Sequence, residues 1–230
     1  MGEIHIEKYE NLIVLRDDKL KGGTKSIFIP RIIEKGKEEY VYASPVEGGF
    51  QIALSKNFGE RATIFVAKRN KRHKITEEVI KNGAKVVEVP YGYLSNVTSK
   101  AKKYVNEKKE KRKLIEWGGS SNKSLITERI KAVIKETGSV DEVWCAVGSG
   151  TLVQGIVEGV DKKTKVYGVQ VGAEYKGKEY ENLKIIKYKR SFNWECKLEV
   201  PFQSNANYDR KALEIALKEG KGKVLFWNVY

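Results

Sequence analysis

Two hydrophobic periods alternate along the middle of the chain. Ala62–Ala67 (ATIFVA), Ala84–Pro90 (AKVVEVP), Lys113–Trp117 (KLIEW), Glu142–Val147 (EVWCAV) and Lys165–Val171 (KVYGVQV) are short apolar runs, the pattern of strands buried on both faces. Between them lie segments with helical spacing: Thr76–Asn82, opened by Thr76 as N-cap and closed by Gly83, then Ser95–Lys109 and Ser124–Thr137. The last of these carries Leu125, Ile126, Ile130, Val133 and Ile134 and stops at Gly138. A further helix runs from the Gly148–Thr151 loop to about Gly159. Strands alternating with helices predict an α/β protein, a three-layer parallel sheet with helices on both faces. Near the ends, Leu12–Leu15 reads as a strand, Ile27–Ile33 as an apolar segment, Asp209–Lys218 as an amphipathic helix and Lys223–Val229 as a final strand. No repeat, low-complexity tract or long linker interrupts residues 1–230, which read as one compact unit.

Composition narrows the possible chemistry. The 44 Lys and Arg against 30 Asp and Glu give a formal net charge of +14, which favours anionic ligands or partners. The lysines are mixed with glutamates, as in Asn106–Lys113, so a solvated face accounts for the same surplus. Two cysteines, Cys145 and Cys196, make no disulfide framework, and with His5 and His73 they are too few for a Cys/His metal site. There is no apolar run long enough for a membrane span and no signal-peptide pattern, so the expectation is a cytoplasmic protein without a membrane partner.

Val143–Ile156 (VWCAVGSGTLVQGI) is the most informative stretch. A buried strand empties into Gly148-Ser149-Gly150-Thr151 and restarts at once as an apolar helix. That arrangement aims free backbone N–H groups and the positive end of a helix dipole at an anion, usually a phosphate. Gly148 and Gly150 let the backbone approach closely, and the Ser149 and Thr151 hydroxyls can donate further hydrogen bonds. An ordinary tight βα turn would look the same. In parallel sheets ligands sit at the carboxyl ends of strands, which is where this loop lies.

Arg16–Ile32 (RDDKLKGGTKSIFIPRI), Ser44–Gln51 (SPVEGGFQ), Ile115–Ser121 (IEWGGSS), the Gly148–Thr151 loop and Asn207–Asn228 follow one another in the order of landmarks in a known family. They resemble the pyridoxal-phosphate enzymes of the tryptophan-synthase-β-like fold, fold type II, and within it the 1-aminocyclopropane-1-carboxylate deaminase and D-cysteine desulfhydrase group. The resemblance implies a reduced two-lobe architecture with a small lobe over about residues 44–120. It implies pyridoxal 5′-phosphate as cofactor, joined as an aldimine to Lys25 of Gly22-Gly23-Thr24-Lys25, which matches the family's Gly-Gly-Asn-Lys. Gly148-Ser149-Gly150-Thr151 matches its phosphate loop with one residue fewer, and Tyr208-Asp209 matches a Tyr-acid pair opening the late helix. Asp209 would hold the pyridine nitrogen protonated; as a first-turn carboxylate it also suits the helix dipole. Tyr208 would work on the substrate as acid or base, or pack its ring. Gly118-Gly119-Ser120 resembles a substrate-carboxylate loop, and a plain turn fits it equally.

One stretch departs from the family. Its Gln-Ser-Asn-His is replaced after Gly48-Gly49 by Phe50-Gln51-Ile52-Ala53-Leu54-Ser55, which keeps Gln51 in register and offers Ser55 one helical turn later as the catalytic serine. The resemblance therefore implies a lyase or deaminase-like enzyme of amino acid metabolism, acting at an amino acid α-carbon by elimination, deamination or decarboxylation. Two alternatives stand beside it. One places the same chemistry on an amino-acid-like group carried by a DNA base or nucleotide, with DNA as a partner and Tyr91, Tyr93 or Trp117 stacking on a base. The other is a catalytically inactive binding protein of the same fold. A homodimer fits either activity.

Overall fold

The computed structural model describes residues 2–90, 92–116, 121–172 and 174–230. The chain forms two compact units, Met1–Thr24 with Ser121–Tyr230, and Lys25–Ser120. The first unit opens with an antiparallel hairpin, β1 (Ile6–Tyr9) and β2 (Leu12–Arg16), in which Ile6 faces Leu15 and Tyr9 faces Leu12. Its tight turn holds Glu10 at φ 52°.

The second unit is built on a four-stranded parallel sheet. The apolar segment read at Ile27–Ile33 is a 3₁₀ turn, Thr24–Phe28, followed by a single helical turn, α1 (Ile29–Ile32), with Pro30 in its first turn. Next come β3 (Glu39–Ala43), α2 (Phe50–Phe58), β4 (Ala62–Ala67), α3 (Lys74–Lys81), β5 (Lys85–Val89), α4 (Leu94–Asn106) and β6 (Arg112–Ile115). Sheet order is β5-β4-β3-β6. The central position of β3 carries this unit N-terminal to residue 44, the expected edge of the small lobe. Aromatic rings close its core: Tyr40 stacks on Phe58 at 4.1 Å, and Phe50 meets Tyr42 edge-on at 5.2 Å. Thr76, read as an N-cap, lies inside α3 and is buried. The cap is His73, whose Nδ1 accepts from the Ile75 N–H at 3.3 Å.

The rest of the first unit comprises α5 (Lys123–Thr137), β7 (Glu142–Val147), α6 (Thr151–Gly159), β8 (Lys165–Gln170), β9 (Leu183–Lys187), α7 (Asp209–Glu219) and β10 (Val224–Asn228). Its six strands run in the order β1-β2-β10-β7-β8-β9, parallel except for β1. The alternating pattern thus serves two parallel sheets covered by helices on both faces. Leu12, Val14, Trp144, Val169, Leu213 and Phe226 form one buried cluster. Helices α5 and α6 touch closely because α6 carries glycine: a Cβ on Gly155 would lie 2.5 Å from the Ile126 side chain, and one on Gly159 would lie 2.2 Å from Ile130. Among the described residues no helix is long and apolar enough to cross a membrane.

Candidate active site

Strand β7 is buried along its whole length and delivers the chain to Gly148 at its carboxyl end. Gly150 is the N-cap of α6 and sits at φ 86°, a left-handed conformation that glycine adopts at little cost. A side chain there would also meet the Tyr175 ring at 2.8 Å. The Ser149 and Thr151 hydroxyls stand 3.3 Å apart in this first turn, beside helix N–H groups that have no intrahelical acceptor. Two hydroxyls and a helix N-terminus together form a cradle for a phosphate-like anion.

The next two expected residues are tied to this loop within the same unit. The Tyr208 ring lies against Gly148, whose added Cβ would be 3.2 Å from the Tyr208 oxygen. The Tyr208 hydroxyl donates to the Ala146 carbonyl at 3.2 Å, and burial, then the charge of Asp209, raises its pKa. In this geometry the ring packs on Gly148 and the hydroxyl proton is directed at backbone. Asp209 follows directly as the first residue of α7 and is fully buried. Its two oxygens accept from the N–H groups of Val229 at 3.3 Å and Tyr230 at 3.2 Å. Burial pushes its pKa up to about 8; the two N–H groups oppose that rise, and the nearby Asp18 and Asp17 add to it. Among the described residues no ammonium or guanidinium pairs with it.

Behind the Gly-Gly loop is a buried network that the sequence did not announce. Arg129 brings Nε within 3.0 Å of both Asp17 oxygens and bonds Oδ1 through Nη2 as well. Thr24 donates to Asp17 at 2.8 Å, and the Trp227 indole N–H reaches Asp17 at 3.0 Å and Thr24 at 2.9 Å. Gly22 and Gly23 both take positive φ, 102° and 75°, and a Cβ on Gly23 would lie 2.4 Å from the Val229 carbonyl. The Thr24 N–H donates to that carbonyl at 3.1 Å. The residue covalently joined to Lys25 is therefore fixed through both backbone and side chain.

In the second unit, Lys25 places its Nζ 5.2 Å from the centroid of the Phe50 ring. Burial lowers its pKa to about 8, and among the described residues no carboxylate forms an ion pair with it. The lowered pKa raises the neutral fraction near physiological pH far above that of an exposed lysine, and the neutral form is the nucleophilic one. Gln51 is fully buried; its Nε2 donates to the carbonyls of Pro45 at 3.2 Å and Val46 at 3.0 Å, while its buried Oε1 has no hydrogen-bond partner among the described residues.

Ser55, expected as the catalytic serine, lies inside α2. Its hydroxyl donates to the Ile52 carbonyl and accepts from Asn82 Nδ2, each at 3.0 Å, and the residue is fully buried. Spacing of one helical turn from Gln51 put it on the expected helix, but the hydroxyl is used to join α2 to the end of α3. Gly118, Gly119 and Ser120, with Tyr91 and Trp117, lie outside the described residues.

The donor set suits pyridoxal phosphate. Within the first unit the Gly148–Thr151 turn would take the phosphate and the buried Asp209 carboxylate the protonated ring nitrogen.

No family model matches the chain. No curated protein matches its sequence. Solved structures do match in fold. An ACC deaminase homologue superposes with a TM-score of 0.72 at 15% identity, over 95% of this chain and 83% of that one. An O-acetylserine dependent cystathionine beta-synthase from Helicobacter pylori gives 0.70 at 15%, over 99% and 92%. A hydrogen sulfide-producing enzyme from Fusobacterium nucleatum gives 0.72 at 14%, over 99% and 92%. The protein thus has the tryptophan-synthase-β-like fold, fold type II of the pyridoxal-phosphate enzymes, in a chain of 230 residues.

Proposed function

We propose that this protein is a pyridoxal-phosphate-dependent enzyme of the lyase or deaminase kind, acting at the α-carbon of an amino acid by elimination, deamination or decarboxylation. The observation that carries this reading is one piece of local geometry: Tyr208 packs on the phosphate-type loop at Gly148, and the next residue, Asp209, is a buried carboxylate without a cationic partner among the described residues. A buried carboxylate is costly until a cation meets it. Pyridoxal phosphate, when bound, supplies that cation as a protonated ring nitrogen, together with an aldehyde and a ring that draws electrons from the α-carbon.

The chain's own residues divide the remaining work. Ser149, Thr151 and the first N–H groups of α6 hold the phosphate and fix the register of the site. Lys25, whose pKa burial lowers to about 8, would supply the amine that the aldehyde meets and a base within reach of an α-proton. Thr24 anchors the backbone that presents it. Gln51 Oε1 offers a buried acceptor to a polar group of the ligand. The two buried free cysteines suit a reducing compartment, and we place the reaction in the cytoplasm.

A binding protein of the same fold, without catalysis, is the second reading. It is favoured by the commitment of the Ser55 hydroxyl to Ile52 and Asn82. One experiment separates the two. Protein saturated with pyridoxal phosphate is reduced with borohydride and digested, and a parallel sample is screened with free amino acids for release of ammonia, carbon dioxide or a keto acid. The enzyme reading expects a pyridoxyl mass on the peptide containing Lys25, its loss in Lys25→Ala, and turnover of at least one amino acid. A labelled Lys25 without turnover supports the binding protein; no label at Lys25 removes the cofactor reading.

A further inference from the structure

We propose that the second unit carries a binding surface for single-stranded nucleic acid at the carboxyl edge of its sheet, a surface that does not depend on the cofactor. The loop after β4 reads Lys68-Arg69-Asn70-Lys71-Arg72-His73-Lys74, five permanent cations with no carboxylate among them. Strands β4 and β5 are parallel neighbours, so this loop and the segment leading into α4 leave the sheet at the same edge. They are fastened side by side. The Lys68 N–H donates to the Val89 carbonyl at 2.8 Å, Arg72 pairs with Glu88 at 2.9 Å, and a Cβ on Gly92 would come within 2.8 Å of Ala67.

Arg72 is committed to Glu88 and holds the loop in place. Lys68, Arg69 and Lys71 are exposed and, among the described residues, have no carboxylate within ion-pair distance. The segment fastened beside them continues into Tyr93, 83% exposed, the largest exposure among the large hydrophobic side chains of the described residues, and Leu94 follows at 36%. From there one stripe of α4 continues the surface with Leu94, Ser95, Thr98, Ser99 and Lys102 around a shallow, open hollow. Unpaired cations beside one outward-facing ring, continued by hydroxyls, match a chain of phosphates with a base free to stack. A single strand fits better than a duplex, whose bases are already stacked on each other. An acidic peptide would use the cations and leave the ring idle. An anionic bilayer would ask for a broader apolar patch than Tyr93 and Leu94 provide.

The test is fluorescence anisotropy of a labelled oligothymidylate with the full chain, without cofactor, across a salt series. Wild type should bind with affinity falling as salt rises. The triple variant Lys68→Ala, Arg69→Ala, Lys71→Ala should weaken binding and flatten the log–log salt slope by about 2, at about 0.7 per phosphate contact. Tyr93→Ala should weaken binding about five- to 150-fold with little change of slope, and Tyr93→Phe should restore it. Absence of binding at low salt, or an unaltered affinity in Tyr93→Ala, overturns the proposal. So does equally tight binding of oligoglutamate or of phosphatidylserine vesicles. Because the measurement uses cofactor-free protein, either result leaves the reading of the Lys25 site to its own test.

Discussion

The two units bury different kinds of polar group. Among the described residues the first buries six charged side chains, Arg16, Asp17, Arg129, Glu142, Asp209 and Lys211, beside the neutral Thr24, Thr151, Thr164, Ser204 and Asn228; the second buries Ser44, Gln51, Ser55, Thr63 and Thr76, all neutral. Burying a charge is costly unless partners are positioned for it, whereas a buried hydroxyl needs one or two hydrogen bonds. The second unit therefore behaves as an ordinary scaffold, closed by Tyr40, Phe50 and Phe58, with its charges outside and one lysine of lowered pKa. The first unit has spent stability on charged networks beneath the Gly-Gly loop and at the start of α7. That contrast separates the units: the charged groups that are costly to bury lie in the first, among them Asp209, next in sequence to the Tyr208 that packs on Gly148.

The largest effect should come from breaking the charged network. Arg129→Met leaves Asp17 buried with only Thr24 and Trp227, and a broken buried pair costs about 3–5 kcal/mol. In a chain of this size that lowers Tm by roughly 6–20 °C. The matched change in the second unit, Lys111→Ala, removes an exposed pair with Glu38 and should leave Tm within the scatter of wild type. Thermal melts of the two variants side by side make the comparison. Equal shifts would erase the distinction between the units.

The next effect is a pH dependence. Asp209 has a folded pKa near 8, above the ordinary 3.8, so the folded state holds this proton more tightly than the unfolded chain does. Its contribution to stability is full below about pH 4 and is lost as pH rises through about 8. Asp209→Asn keeps one of the two acceptor oxygens, loses the other at every pH, and cannot ionise. The Tm of the variant relative to wild type should rise steadily across that window, with each unit of separation worth about 1.4 kcal/mol. Saturating pyridoxal phosphate should shrink the difference by supplying wild type with a cation that the variant does not need. A flat difference between pH 4 and 9 would mean that Asp209 is no more perturbed than a surface carboxylate.

Thr151→Val tests the cradle. It retains shape and removes one hydroxyl donor to a charged phosphate, worth about 1.5–3 kcal/mol, which is about a ten- to 150-fold loss in cofactor affinity. Equilibrium titration with pyridoxal phosphate gives the value. Unchanged affinity would reduce the Gly148–Thr151 loop to a turn.

What the sequence revealed and what it hid follow the same division. Glu142–Val147 was legible to the residue because a central strand buried on both faces is a continuous apolar run. Strands β1 and β9 went unread because they are edges, half-exposed, and mix Lys and Glu with their apolar residues. Strand β3 sits in the centre of its sheet, but its two tyrosines and adjoining glutamates do not stand out from the polar sequence before it. The phosphate-type loop was legible because its signal is local, a strand, two glycines and a helix. The Asp17–Arg129 and Asp17–Trp227 contacts join residues 112 and 210 positions apart, and no local pattern encodes such a pair. Ser55 shows the converse limit: spacing gave the right helix but not the bonds of the hydroxyl to Ile52 and Asn82, which join α2 to the end of α3.

Ser55→Ala should produce the smallest effect. The substitution removes the bond to Ile52 and leaves Asn82 Nδ2 without its acceptor in the second unit's interior. A neutral hydrogen bond of this kind contributes about 1 kcal/mol, a Tm change of roughly 2–4 °C. Cofactor affinity and any turnover should match wild type, since the hydroxyl is turned into the α2–α3 junction. Asn82→Ala should reproduce the loss of stability, and combining the two should cost less than the sum, because they remove one shared interaction. A large fall in turnover with Ser55→Ala at unchanged Tm would reverse the assignment, returning Ser55 to the reacting groups and making the second unit a participant in the chemistry through more than Lys25 and Gln51.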